Sequence, residues 1–332
     1  MDGIEMNSLL TRRQVLGSAL AATGSVVAGP ALAQGAFPNR PIKILVGFAP
    51  GGFTDVAARL IGQELSKSLG QSVVVENRAG ANGMIASDAT AKSPPDGYTL
   101  HMSSLGLTTN PLLMDRSQFD PVKSFTPISL LAMVPNILVV HNGLPVKNLQ
   151  ELLALGRTQP LRQASAGNGS PGHLSGALLQ LLTKAQMDHI PYKGSAPAMN
   201  DLVAGHVDLS FPTIPTALPL VRSGKLRAIG VTGARRSALM PEVPSIAEGG
   251  VPGYDMGGWY GLVGPAGMPK EVTDTLSREI VRIMKVPEVR DRFIAEGADP
   301  VGSTSAEMGD FLVRDFKRWG EVVKSANIKA SS

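Results

Sequence analysis

The chain has 332 residues, a formal net charge of +4 and no cysteine. The missing cysteine excludes disulfides, thiol nucleophiles and thiolate metal sites. Apolar residues make up 43% and aromatics only 5%, with 37 glycines and 25 prolines, which fits an α/β chain with many short connections and argues against disorder.

Residues 11–33 read as an export signal of twin-arginine type. Arg12 and Arg13 form a positive start, Val15 to Val27 an apolar stretch, and Ala31-Leu32-Ala33 a small-x-small cleavage site. The stretch is too short and too rich in Ala, Gly and Ser for a membrane anchor, which needs about 20 strongly apolar residues. Cleavage after Ala33 would leave Gln34 first and place the mature chain in the periplasm. No later segment is apolar enough to cross a membrane.

Ile42 to Val46 is a β-branched run and predicts a strand. The glycine turn Gly47 to Phe53 follows, with Thr54 as a candidate cap. Val56, Leu60, Ile61, Leu65 and Leu69 then recur at helical spacing, and Gly70 ends the helix. Val73 to Val75 is a second strand, Arg78 to Gly83 a second glycine turn before a helix through Lys92. Tyr98 to Met102 is a third strand. Strand, glycine turn and helix in repetition predict a parallel sheet covered by helices.

The pattern resumes with a strand at Ile137 to His141. Asn148 and Glu151 form a capping box for a helix through Leu155. A strand near Gln163 to Ala166 meets the turn Gly167 to Ser170, then a helix carrying Leu174, Leu178, Leu181 and Leu182. His189 to Tyr192 predicts a strand, Ala196 to Ala204 a helix, and Val207 to Phe211 and Leu226 to Val231 further strands. Trp259 to Val263 reads as a strand returning to the first sheet. Helices are expected over Glu271 to Met284, Val289 to Glu296, and from the Thr304/Glu307 capping box to near Ala326. The absence of a linker between the βα blocks predicts domains joined by more than one strand, crossing near Val134–Ile137 and Asp255–Trp259.

The turn GFAPGGFT (Gly47 to Thr54) has the G-x-x-x-x-G spacing of a P-loop. Phe53 stands where the phosphate-binding Lys belongs, which rejects nucleotide hydrolysis. The spacing leaves two readings. One is an anion cradle of backbone N–H groups at a helix start. The other is a tight turn that needs Gly only for sterics. Gly80 to Gly83, Ser103-Ser104 and Gly167 to Ser170 have the same character. Ligands of open α/β sheets bind beyond the carboxyl ends of the strands, so four such turns in two blocks favour a cleft between domains.

Asn168-Gly169-Ser170-Pro171-Gly172 is a near miss to G-x-S-x-G. Ser170 and His173, three apart at a helix start, fit capping or ligand binding better than a secreted serine hydrolase, which also needs an orienting third group. Asp55 in the first helical turn would either pin the loop against the helix dipole or touch the ligand. The histidines show no H-x-x-x-H or H-E-x-x-H spacing, so no metal site is expected. No basic run is interleaved with aromatics, so nucleic acid is not an expected partner.

Five segments together resemble the Bug family, the periplasmic solute-binding proteins of tripartite tricarboxylate transporters. They are PGGFTDVAAR (Pro50 to Arg59), VENRAGANG (Val75 to Gly83), SAGNGSPGHLSG (Ser165 to Gly176), HIPYKGSAPAMNDLVAGHVD (His189 to Asp208) and the run from Leu226 to Tyr254. The resemblance implies a type II periplasmic binding protein fold, two α/β lobes around a ligand cleft with two hinge crossings. It places residues 34–136 and 258–332 in one lobe and 137–257 in the other. It implies no catalytic role and no cofactor. It also implies a monomer that binds a small organic acid (a di- or tricarboxylate, an acidic amino acid or an aromatic acid) and hands it to membrane permease subunits. A ligand-sensing subunit would bind alike with another partner. Carried over residue by residue, the ligand contacts are Phe48, Gly51, Gly52, Thr54, Asp55, Ala81 and Ser104 from the first lobe. From the second they are Asn168, Ser170, His173, Tyr192, Gly194 and Asp208. Phe53 departs from a position often small in the family; its ring would narrow the pocket or stack on a flat ligand.

Overall fold

Two separate sheets share one strand plan. A computed structural model describes residues 37–113, 118–192 and 194–325; the export signal lies outside them. Residues 37–39 form a short segment of their own with a cis Phe37–Pro38 bond. From Arg40 onward the described chain is a single compact unit.

The first sheet holds β1 (Ile42–Val46), β2 (Val73–Asn77), β3 (Thr99–Ser104), β4 (Phe125–Pro135), β10 (Gly257–Pro265) and β11 (Asp299–Pro300), in the order β11-β4-β10-β3-β1-β2. β1 pairs in parallel with β2 and β3, and β10 runs antiparallel between β3 and β4. The second sheet holds β5 (Ile137–His141), β6 (Leu161–Ser165), β7 (Met187–Pro191), β8 (Leu209–Ser210) and β9 (Leu226–Val231), in the order β7-β6-β8-β5-β9. Here β5 is the antiparallel member, between β8 and β9. Each sheet therefore reads second, first, third, returning strand, fourth.

The chain leaves β4 at Pro135 and enters β5 at Ile137, so a single residue, Asn136, separates the sheets. It returns after β9 through a long connection and rejoins at Gly257, which lies opposite Pro135 in the β10–β4 register. The two crossings are thus neighbours.

Why β5 forms is plain from its sequence. Ile137 to Val140 are all fully buried. Successive strand residues face opposite ways, so Leu138 and Val140 join one core while Ile137 and Val139 join another. The first core also takes in Trp259, Trp319 and Leu107, so it runs beneath both sheets.

Helices cover the sheets. α1 (Phe53–Leu69) buries Ala57, Ala58, Ile61 and Leu65 and ends at Gly70, whose left-handed backbone turns its N–H to Ser66 O. α2 (Met84–Ala91), α3 (Gly106–Leu113), α8 (Lys270–Ile283), α9 (Pro287–Ala295) and α10 (Ser305–Ser325) complete the first block. α4 (Leu149–Thr158), α5 (Pro171–Thr183), α6 (Ser195–Ala204) and α7 (Ile214–Arg222) cover the second. The expected box at Thr304 forms in full, while at Asn148 the cap forms and Glu151 reaches back to Lys147 N instead. Asn148 Oδ1 accepts from Glu151 N (3.0 Å), and Thr304 Oγ1 and Glu307 exchange bonds with each other's backbone N–H.

Four elements, β4, α3, α7 and the two-residue β11, were not legible. β4 is an eleven-residue strand whose Pro127 and Pro135 hid it among turn signals. α3 contains Pro111, and α7 contains Pro215 and Pro219. Pro215 costs little at the start of α7, because that N–H has no partner anyway, whereas Pro111 and Pro219 lie inside their helices and each forgoes one backbone bond. No helix among the described residues is long and apolar enough to cross a membrane.

Candidate functional site

The first turn is held by a buried carboxylate. Asp55 Oδ2 accepts from Gly51 N (3.0 Å) and Arg59 Nε (3.0 Å), and Oδ1 from Arg59 Nη2 (2.9 Å) and Asn77 Nδ2 (2.9 Å). Asn77 also donates to Phe48 O (3.0 Å). The bond to Arg59 is the chief cause that holds the Asp55 carboxyl down at about 2. With four donors on its two oxygens, Asp55 pins the loop. Thr54 is not the helix cap: Gly52 takes that place, and buried Thr54 hydrogen-bonds Tyr260 instead. Phe53 is also turned inward, with ring centroids 4.6 Å from Tyr260 and 5.7 Å from Phe293. Its ring is committed to packing rather than to a flat ligand. Gly51 carries the positive φ of 92°, whereas Gly52 sits at −80° facing open space.

The next two turns lock onto the first. A Cβ on Gly47 would lie 2.5 Å from Gly83 Cα, and one on Gly106 would lie 2.4 Å from Asn82 O. Ala81 and Asn82 are both left-handed (φ 46° and 51°), a conformation that costs an L-residue energy. Buried Asn110 holds them there, donating to Asn82 O (3.1 Å) and Ala81 O (3.4 Å) and accepting from Asn82 Nδ2 (3.0 Å). Ser104 ends β3 just before α3.

In the second block, Ser170 caps α5. Its Oγ accepts from His173 N (3.3 Å) and donates to Gly167 O (2.7 Å). His173 Nδ1 accepts from Gly169 N (3.1 Å), and its ring stacks on His189 at 3.7 Å and 6°. Asn168 is exposed at the tip of this turn. Gly194, at φ 112°, begins α6 and donates to Ala166 O (3.2 Å).

Asp208 is not brought to this edge, and Tyr192, which follows β7 there, turns its hydroxyl away. Asp208 grips Arg162 through two side-chain bonds and one backbone bond, at the amino ends of β6 and β8. That is the opposite end of the strands from Gly167. The Tyr192 hydroxyl donates to Asp201 Oδ2 (2.6 Å) near the far end of α6, and that bond is the chief cause that pushes the phenol up to about 12.

Two cavities adjoin at Pro171. One, of about 130 Å³, is lined by Phe48, Asn82, Ser104, Leu105, Gly106, Gly169 and Gly258 to Tyr260. The other, of about 90 Å³, is lined by Asn136, Ser165, Ala166, Ser170, Gly172, Ser195 and Thr213 among others. The starts of α3, α5, α6 and α7 all contribute, and no charged side chain lines either cavity. Helix N-termini present unpaired N–H groups and partial positive charge. An anion entering here meets dipoles from both sheets. Among the expected contacts, Phe48, Ser104 and Ser170 line these cavities. Asn82, Gly106, Asn136, Ser195 and Thr213 were missed. A lone Asn between two apolar runs was the available signal for Asn136.

The geometry rejects a Ser170–His173 nucleophile pair. The hydroxyl donates to a carbonyl, and the imidazole nitrogen that faces the turn already accepts a backbone N–H. A triad needs His Nε2 aimed at the hydroxyl, whereas this ring presents Nδ1 to the turn. Among the described residues no group of His, Asp and Glu is placed to hold a metal ion.

Comparison with known proteins agrees with this geometry. The family model for the tripartite tricarboxylate transporter family receptor matches residues 57–328. Protein BugT of Bordetella pertussis is 39% identical, with 95% of this chain and 97% of that protein covered. The structure of Rpa4515 from R. palustris with adipate shares 36% identity at a TM-score of 0.76, covering 89% of this chain and 100% of that one. MatC of Rhodopseudomonas palustris with bound malate shares 34% at 0.70, covering 86% and 100%. With nearly its whole length matched, the chain belongs to the tripartite tricarboxylate transporter receptor family, the Bug proteins, and is a solute-binding receptor rather than an enzyme.

Proposed function

We propose that the cleft captures a small organic di- or tricarboxylate in the periplasm and delivers it, as a monomer, to the permease subunits of a tripartite tricarboxylate transporter. The observation that carries this reading is the convergence of four helix starts on two adjoining cavities without a charged side chain. An ionised carboxylate finds donors there that keep their protons, and charge-assisted bonds are the stronger kind. The relatives with adipate and malate support the ligand class. Residues 34–136 with 258–332 would form one lobe and 137–257 the other, closing over the ligand. Gly52 and Ala81 would supply backbone contacts from the first lobe, and Asn168, Ser170 and Gly194 would act from the second. Export through residues 1–33 completes the reading.

The test is calorimetric titration of the mature chain with adipate, malate, citrate, glutamate and benzoate. One saturable ligand with Kd on the order of micromolar is expected. Failure of every carboxylate in the panel would overturn the reading.

A further inference from the structure

His173 and His189 stack flat at the base of the turn Gly167 to Ser170, and every polar contact they make serves that turn. Gly169 N donates to His173 Nδ1 (3.1 Å), so that nitrogen is bare and the proton sits on Nε2. His189 Nε2 lies 2.6 Å from Ser165 Oγ. The same hydroxyl donates to Gly167 O (3.0 Å) and accepts from Gly167 N (3.1 Å). Ser165 has one proton to give. With that proton on Gly167 O, His189 Nε2–H is the donor to Ser165. The two rings thus hold Gly167 and Gly169 from beneath.

We propose that His173 and His189 are positioning residues, a neutral imidazole stack that fixes the Gly167–Ser170 turn and the N-terminus of α5 for a ligand carboxylate. The proposal rests on the receptor reading above. His173 acts through Gly169, not by touching the ligand.

Charging His173 works against the turn. A proton on His173 Nδ1 would face the Gly169 N–H donor to donor. The cation would also lie in the first turn of α5, where the helix end is already positive, and flat against its partner ring. Other charges do little to relieve it. On β6 and β7, Gln163 is in register with His189 and shares its face, while Arg162 and Asp188 alternate to the opposite face. α5 has no charged residue from Pro171 to Thr183, and Tyr260 is the only titratable group of β10. α10, which also packs on α5, carries Glu307, Asp310, Arg314, Asp315, Lys317, Arg318, Glu321 and Lys324. Asp315 is held by Trp259 and Trp319, and Arg318 by Asp255 O. Burial is the main cause that pushes both imidazoles down to about 4, and the other charge acting on His173 is that of His189.

The test measures adipate and malate affinity at pH 7.5 and pH 4 for the parent, His173→Leu and the double variant His173→Asn with His189→Gln. Asn Oδ1 can accept from Gly169, and the Gln amide can donate to Ser165, yet neither titrates. The ligand's own carboxyl groups titrate alike for every variant. The double variant should bind at pH 7.5 within a few-fold of the parent. The parent should lose about two- to fourfold more affinity at pH 4 than the double variant does, because an imidazole held at about 4 is half charged there. His173→Leu should bind about tenfold more weakly at both pH values. Parent affinity that rises on acidification, relative to the double variant, would mean an imidazolium touching the ligand, and would overturn the proposal. Equal pH profiles for all three would overturn it as well. If neither acid binds, the receptor reading suffers, and nitrogen NMR of the imidazoles decides the clamp. A bare His173 Nδ1 at pH 7.5 supports it, and a protonated one overturns it.

Discussion

Thr232 and Asn136 exchange hydrogen bonds in both directions where the chain passes between the sheets. Thr232 Oγ1 accepts from Asn136 N (2.7 Å) and donates to Asn136 O (3.0 Å), which also accepts from Thr232 N (2.9 Å). Met256 N then donates to Thr232 O (2.7 Å), so this threonine ties the first crossing to the second. Asn136 Nδ2 reaches on to Phe211 O (2.7 Å) beside the smaller cavity. A bending motion of the two sheets must pass through this knot.

Thr232→Val keeps the shape and removes the hydroxyl. Two bonds are lost and the buried Asn136 N–H is left without its acceptor, a cost of about 1–3 kcal/mol. A lower melting temperature is expected. Scattering should show a looser apo chain, with ligand-induced compaction retained. An unchanged melting temperature would mean that the crossing is held elsewhere.

Gly51 and Gly52 should fail in different ways. At φ 92°, Gly51 tolerates no β-branched residue without about 1–3 kcal/mol of strain, and its N–H is committed to Asp55. Gly51→Val should therefore lower stability first. Gly52 has an ordinary φ of −80° and no atom near a Cβ. Gly52→Val should fold with little loss, yet fill the space where a carboxylate would approach. Losing two charge-assisted bonds of about 1.5–3 kcal/mol each weakens binding at least a hundredfold. Calorimetric affinity beside melting temperature separates the two. Parent-like binding by Gly52→Val would reduce the loop to a plain turn.

Asp55 sets an acid limit on the first turn. Its carboxyl is held at about 2 in the fold, below its ordinary 3.8, chiefly by Arg59. The unfolded chain therefore takes the proton first on acidification. The stability that the ionised group contributes is complete above its ordinary value, and falls as pH drops towards 2. Asp55→Asn should lower the melting temperature at pH 7 and flatten its decline between pH 4 and pH 2. The difference from the parent isolates Asp55 from the other carboxyls. Identical slopes would remove the pin.

How far the site was legible follows from what each signal encodes. Glycine turns marked the ends of β1, β2 and β6, because tight turns and left-handed backbone leave a direct trace in residue type. The edge of the sheet was therefore readable. The direction of a side chain was not. Asp208 and Tyr192 sit in family-like motifs, yet Arg162 and Asp201 draw their polar groups away from the cleft. Asn110 escaped notice because its partners Ala81 and Asn82 lie 29 and 28 residues away in sequence. β4 and α7 were hidden by prolines that the fold tolerates at a strand near the crossing and at a helix start.

Trp259 offers a reporter for the cleft that needs no label. Its indole is fully buried yet forms part of the wall of the larger cavity. Its Nε1 donates to Asp315 Oδ2 (2.9 Å), which also accepts from Thr108 Oγ1 (2.6 Å), while Trp319 Nε1 donates to Oδ1 (3.0 Å). One carboxylate thus joins β10, α3 and α10, and both tryptophans of the chain point at it. A ligand in the larger cavity changes the surroundings of Trp259 and leaves Trp319, which lines neither cavity, as it was. Emission should therefore shift on carboxylate binding in the parent and in Trp319→Phe, and not in Trp259→Phe. Asp315→Asn puts an amide donor among three donors, so at least one loses its acceptor, at about 1–3 kcal/mol. Its apo emission should already differ from the parent's. If instead Trp259→Phe keeps the full ligand response, the ligand does not occupy the cavity beside Trp259, and the smaller cavity around Ser170 becomes the place to look.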